Sequence, residues 1–201
     1  TEKNVGRYIQ VGRGVTAYSA YIPAKLGKNL PFELDLELVN LLGEANRYIG
    51  KLDEITNILI APGFFVKMFA AKEAVLSSQI EGTQATFSDL LKREAGIISK
   101  EIPDDVKEIE NYLKALDYGI SRLDSFPISL RLMREVHKIL LHEVRGAEKN
   151  PGEFRLSQNW IGGRSINTAT YVPPPVDVMN GLLDNFEKFI HQEDQIHPLI
   201  K

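Results

Sequence analysis

From Leu34 to Val144 the apolar residues return every three or four positions, in runs separated by proline, glycine or a capping residue. That spacing restricts the chain to a mainly helical fold. The first run holds Leu34, Leu38, Leu41, Leu42, Ala45, Tyr48, Ile49 and Leu52; Pro31 introduces it and it ends near Asp53. Pro62-Gly63 separates it from a second run, Phe65, Met68, Phe69, Val75, Leu76 and Ile80, which Gly82 stops where a helix usually turns left-handed. A short helix is expected from Ser88, as its cap, to about Ala95. Ile102-Pro103-Asp104 signals a fourth helix carrying Val106, Ile109, Tyr112, Leu113, Leu116, Ile120 and Leu123. Ser129 starts a fifth, which keeps its period through Val144. His137 sits inside that pattern and reads as an interhelical hydrogen-bonding residue rather than a ligand.

The two ends of the chain differ from this body. Residues 1–30 carry Gly6, Gly12, Gly14, Pro23 and Gly27 and read as an extended N-terminal arm, packed through Tyr8, Tyr18 and Tyr21, with a short strand near Thr16–Tyr21. Residues 146–175 hold four glycines and four prolines and no helical period. Extended runs at Leu156–Ile161 and Thr168–Val172 flank Gly162-Gly163-Arg164-Ser165, the pattern of a β-hairpin or hairpin-like loop. Trp160 and Tyr171 are placed to anchor it, with the Trp160 ring faces buried. Such a loop offers a strand edge on which another chain's backbone can pair. Pro173-Pro174-Pro175 leads into a last full helix, from Val176 to Ile190. His197-Pro198-Leu199-Ile200-Lys201 reads as the first turn of another apolar element, so further residues are expected after Lys201 in the complete protein. The organisation expected is an arm at 1–30, a helical region at 31–125 and a third region at 126–201.

Charge and composition exclude several functions. A net charge of −3 and a pI near 5.9 give no electrostatic footing for nucleic acid or an anionic membrane. Without cysteine there is no disulfide framework and no thiolate metal site, and the four histidines show no compact ligand spacing. No apolar run approaches the ~20 residues that span a bilayer. A cytoplasmic protein is expected, with no metal held by this chain.

One residue stands against helix chemistry. Glu81 falls in the last turn of the second helix, where exposed carbonyls already make the helix end negative, at a cost of roughly 0.3–1 kcal/mol if it is unpaired. Ser77 lies four residues back on the same face. Either Glu81 is simply solvated, or a cation elsewhere in the fold needs it.

The string Ser77-Ser78-Gln79-Ile80-Glu81-Gly82 fits S/T-x-x-x-E-G/N and resembles the inhibitory helix of Fic-family proteins, which transfer AMP from ATP to hydroxyls of target proteins. The flanking Lys72-Glu73-Ala74-Val75 and Thr83-Gln84-Ala85-Thr86 continue the likeness without a gap. So do Pro151-Gly152-Glu153-Phe154-Arg155, Ser157-Gln158-Asn159-Trp160-Ile161-Gly162-Gly163 and Tyr171-Val172-Pro173-Pro174-Pro175, a block similar to the family's flap. The resemblance, from about Ala17 to Lys201, implies a Fic-like helical bundle with a β-hairpin flap (about 152–175), an inhibitory helix (about 64–82) and an extended N-terminal arm. It implies an adenylyltransferase (AMPylation) using ATP and Mg²⁺. Glu81, with Ser77 and Gly82, would form the inhibitory and ATP-site group, Glu81 pairing with an arginine and holding the γ-phosphate position. Ser77 is equally readable as a plain helix-face serine. Trp160, Ile161, Gly162 and Gly163 would dock the target protein segment. The family's HPFxxGNGRxxR motif is absent from these residues, so this chain supplies no catalytic residue, His197 included, and is expected to be inactive alone. A homodimer, and a winged helix beyond Lys201, are compatible with the likeness. The alternatives are a non-enzymatic helical interaction or dimerisation domain, and Fic-type transfer of another phosphate-containing group such as phosphocholine.

Overall fold

A computed structural model describes residues 5–27, 34–97, 103–193 and 196–201. In chain order its elements are β1 (Gly6–Val11), β2 (Tyr18–Pro23), α1 (Leu36–Ile58), α2 (Pro62–Ile80), α3 (Phe87–Glu94), α4 (Val106–Leu123), α5 (Leu130–Leu140) and α6 (Val176–His191). Single 3-10 turns occur at Gly14–Thr16 and Ile166–Thr168. The fold is mainly α, as the periodicity predicts. The helix start expected at Pro31, and Ile102 of the second start signal, lie outside the described residues. Two compact units divide the chain, with their boundary inside α1: Gly43–Glu153 is one, and the stretches before and after it form the other.

In the unit Gly43–Glu153, α2 packs on α4, and α4 on α5. The core comprises Ala71, Ala74, Val75, Ala85, Leu90, Val106 and Ile109, with Phe87, Tyr112 and Leu113 against it. The buried face of α2 is Ala71, Ala74 and Val75; of the residues the apolar period selects, Val75 is buried and Met68 half-buried, whereas Phe65, Phe69, Leu76 and Ile80 are exposed. Small side chains let two helix backbones approach closely; phenylalanine on that face would hold them apart. Thr86, not Ser88, caps α3: its hydroxyl accepts from the Asp89 amide, and the Asp89 carboxylate accepts from the Thr86 amide at 3.0 Å. This reciprocal pair fixes the start two residues earlier than a lone serine suggests. Leu90 is fully buried beneath it. Leu90→Ala is expected to lower the unfolding free energy by about 2–5 kcal/mol, read from the urea midpoint.

The periodicity runs on to Val144, but α5 stops at Leu140. The reason lies on α4. Asn111, which is buried, donates its amide to the carbonyls of Leu140 (3.3 Å) and His142 (2.7 Å), taking the acceptors that a further helical turn would use. Downstream, His137 is the hydrogen-bonding residue expected of it: its Nδ1 accepts from the Gly152 amide at 2.9 Å. Arg134 donates to the Gly152 carbonyl at 2.7 Å and forks onto the Glu153 carboxylate.

In the other unit the N-terminal arm is a β-hairpin rather than an arm with one short strand. β1 and β2 pair antiparallel from Gly6↔Pro23 to Val11↔Tyr18, and Tyr8 meets Tyr21 edge-on at 5.2 Å. Their side chains answer each other across the ladder, which a reading of the second strand alone misses. The Leu156–Ile161 and Thr168–Val172 runs, conversely, form no strands. A single antiparallel bridge joins Ile161 to Tyr171, closed by Ile161 N–H to the Tyr171 carbonyl at 2.9 Å. Side chains and β2 take over the hydrogen bonding a longer ladder would need. Gln158 donates to the Pro173 carbonyl, Arg155 to the Pro174 carbonyl, and the Tyr21 amide to the Val172 carbonyl at 2.9 Å. Asn185 of α6 exchanges two hydrogen bonds with the Leu26 backbone, at 2.8 and 3.0 Å. The residues His197 to Lys201 make one helical turn, Ile200 N–H to the His197 carbonyl at 2.8 Å.

Candidate functional site

The C-terminal end of α2 borders a groove of about 420 Å³ in the unit Gly43–Glu153. Ser77, Ser78 and Glu81 line one side, Glu108 and Tyr112 of α4 another, and Leu140, Leu141, Val144 and Arg145 the third. The floor is apolar and the rim charged.

Glu81 is the residue at which α2 ends, with φ −80° and ψ 0°. Gly82 follows at φ +94°, the left-handed turn expected of it. A Cβ there would meet nothing within 4 Å, so conformation rather than crowding requires glycine. The turn is then strapped to α4: Thr83 donates to Glu108 at 2.8 Å, and the Gln84 amide to the Asp105 carboxylate at 3.1 Å. Arg145 closes the rim. Its Nη2 donates to the Glu81 backbone carbonyl at 3.2 Å and lies 3.6 Å from the Glu108 carboxylate. The negative helix end is thus answered by Arg145 through a backbone oxygen. Among the described residues, no cation stands within ion-pair distance of the Glu81 carboxylate, which is exposed at the rim.

Ser77 lines the same groove but turns its proton the other way, donating to Glu73 Oε1 at 2.6 Å. Tyr112 donates to the second Glu73 oxygen. These two bonds, that of Ser77 first, hold the Glu73 carboxyl below its ordinary value of 4.5, and the same contact raises the Tyr112 phenol above 10.0. A depressed carboxyl stabilises the fold fully above its ordinary value and loses that contribution as the pH falls through the depressed one. The Tyr112 contribution, conversely, is complete below pH 10.0 and is lost as the pH rises through the raised phenol value. In Ser77→Ala the Glu73 titration, followed by carboxyl-carbon NMR, is expected to move up towards 4.5, and further than in Tyr112→Phe.

Of the four residues expected to dock a target, Ile161 forms the bridge to Tyr171, Gly162 and Gly163 lie in the loop it closes, and Trp160 precedes it. Trp160 is 42% exposed, so its ring faces are not buried as expected; the one-bridge loop has no second layer to cover them. Gly162 and Gly163 both sit at φ +72°, and an added Cβ would run into Thr170 at the first and Thr168 at the second. They are required by conformation and by space together.

Sequence reading gives no site role to Glu108, Asn111 or Arg145, although Arg145-Gly146 belongs to the family likeness. Asn111 leaves no trace in the apolar period, since it stands on the opposite side of its helix from the Val106, Ile109, Leu113 and Leu116 face. Among the described residues, no helix is long and apolar enough to cross a membrane, and no group of three His, Asp or Glu side chains could hold a metal ion. Residues 39–121 match the family model described as Fic/DOC family N-terminal, a span that includes Ser77, Glu81, Glu108 and Asn111.

Proposed function

This chain belongs to the Fic family, and from that premise we propose that it is the inhibitory and target-aligning part of a protein adenylyltransferase held at rest by Glu81. The observation that carries the reading is the division of labour at the end of α2. Arg145 occupies the backbone carbonyl of Glu81 and leaves the carboxylate exposed at the rim, available to a further cation.

The residues present do not themselves fit ATP or Mg²⁺. The groove rim sets two carboxylates, Glu81 and Glu108, against one guanidinium, Arg145, which disfavours a polyphosphate. The sequence has no glycine-rich anion turn of the GNGR kind. The contribution of this chain is therefore electrostatic obstruction. A fixed carboxylate either engages the arginine that would hold the terminal phosphate or repels that phosphate directly. The loop around Gly162-Gly163 acts on the other reactant: its single bridge leaves neighbouring backbone groups able to align a target segment by strand addition. The test is incorporation of labelled AMP from ATP by the full-length protein, with and without a substitution at Glu81. Equal incorporation by both would overturn the inhibitory assignment.

A further inference from the structure

We infer that the outer edge of β1 takes up an extended acidic segment of a partner protein as a third strand. The ladder with β2 fixes which backbone groups that edge offers. The Ala24 amide donates to the Val5 carbonyl at 2.9 Å, so in this antiparallel register Val5, Arg7, Ile9 and Val11 turn their backbone groups towards β2. Gly6, Tyr8 and Gln10 alternate with them and turn theirs outward. Pro23, opposite Gly6, has no amide to give, and the amide of Tyr21, opposite Tyr8, points away from β1 to the Val172 carbonyl. The chain at Val172 thus covers the far edge of β2. Among the described residues nothing pairs with the outward groups of Gly6, Tyr8 and Gln10. Edges meant to stay unpaired are shortened, bulged or interrupted by proline. β1 keeps an unbroken register over its 6 residues, without proline, and Tyr8 is 66% exposed. Its backbone is a ready template for strand addition.

Charge selects the occupant. The chain carries −3 overall, yet residues 5–27 hold Arg7, Arg13 and Lys25 and no aspartate or glutamate. All of these cations are exposed and, among the described residues, none has an ion-pair partner. Residues 154–176, on the Val172 side of β2, add Arg155 and Arg164 and again no carboxylate. Arg7 and Lys25 also border a groove of about 540 Å³ that the Gly6 end of the ladder forms with α6, where Asp177 is the one carboxylate. A second copy of β1 on this edge would gather cations with nothing to answer them. A strand bearing carboxylates at alternate positions answers them while its backbone completes the ladder. The edge lies across β2 from Val172, so the inference depends neither on the role of the Gly162-Gly163 loop nor on that of Glu81.

The probe is a peptide of alternating glutamate and valine, about ten residues long, added to the full-length protein and followed by amide hydrogen exchange in NMR spectra. The Gly6, Tyr8 and Gln10 amides should exchange fast in the free protein and slow by about tenfold or more with peptide. Those of Arg7 and Ile9, already bonded to β2, should change little. Tyr8→Pro removes an outward donor and no β1–β2 bond; it should abolish the protection while the Ile9 and Ala20 amides keep theirs. Arg7→Glu combined with Lys25→Glu should weaken peptide binding by about tenfold. The same peptide with lysine for glutamate should not bind. Protection by the lysine peptide or by an oligonucleotide instead would overturn the inference. So would binding that leaves the outward amides fast, or outward amides already slow before any peptide is added.

Discussion

In the full-length protein Glu81→Gly should raise AMP transfer on the order of a hundredfold, the effect of removing one like-charge contact of about 3 kcal/mol. The carboxylate needs no rearrangement to act. It stands at the rim of the groove at a helix end whose carbonyl is already bonded, and Thr83 and Gln84 tie the following turn to α4. Glycine at this position also loosens the last helical turn, so Glu81→Gln separates the two effects by keeping the shape and removing the charge. Activation by both substitutions supports an electrostatic block. Activation by glycine alone assigns the effect to the loosened helix end, and activation by neither removes Glu81 from the control of the reaction.

Replacing Gly162-Gly163 with Pro-Pro should cut transfer to a protein target by about a hundredfold while leaving nucleotide affinity within error, since misplacing a reactant by about 1 Å costs that much. Both glycines hold φ +72°, whereas proline is confined near −65°, and their neighbours Thr168 and Thr170 leave no room for a side chain. The Ile161–Tyr171 bridge and the Ser165–Thr168 turn both close on this stretch, so a changed backbone at 162–163 disturbs each of them. The measurement is kcat/KM for the target beside the Kd for ATP. Equal losses in both would mean a folding defect and would overturn the alignment role.

Much of the helical layout is legible in the sequence because it rests on local chemistry. Gly82 and Ser129 mark their helix ends at the residue, and the apolar period finds α4 at its observed length. What is not legible depends on partners far along the chain. Hydrophobicity ranks Phe65 and Phe69 above Ala71 and Ala74, yet close approach to α4 selects the alanines. The end of α5 is set by Asn111, 29 residues before Leu140, and the groove rim by Arg145, 64 residues after Glu81. The glycine-rich block predicts a hairpin that lies instead at the N-terminus, because β1 and β2 complete each other's ladder while the later runs use β2 and side-chain donors.

The alanine seam under α2 has a bearing on how such a protein can be adjusted. Ala74 is wholly enclosed, seven residues or about 10 Å along the helix from Glu81. One extra methylene there cannot be absorbed in place; it would tilt the rod on α4 and carry the far carboxylate with it. On the proposed role of Glu81, the strength of inhibition is then set from a core position outside the groove, where variation leaves the groove residues themselves unaltered.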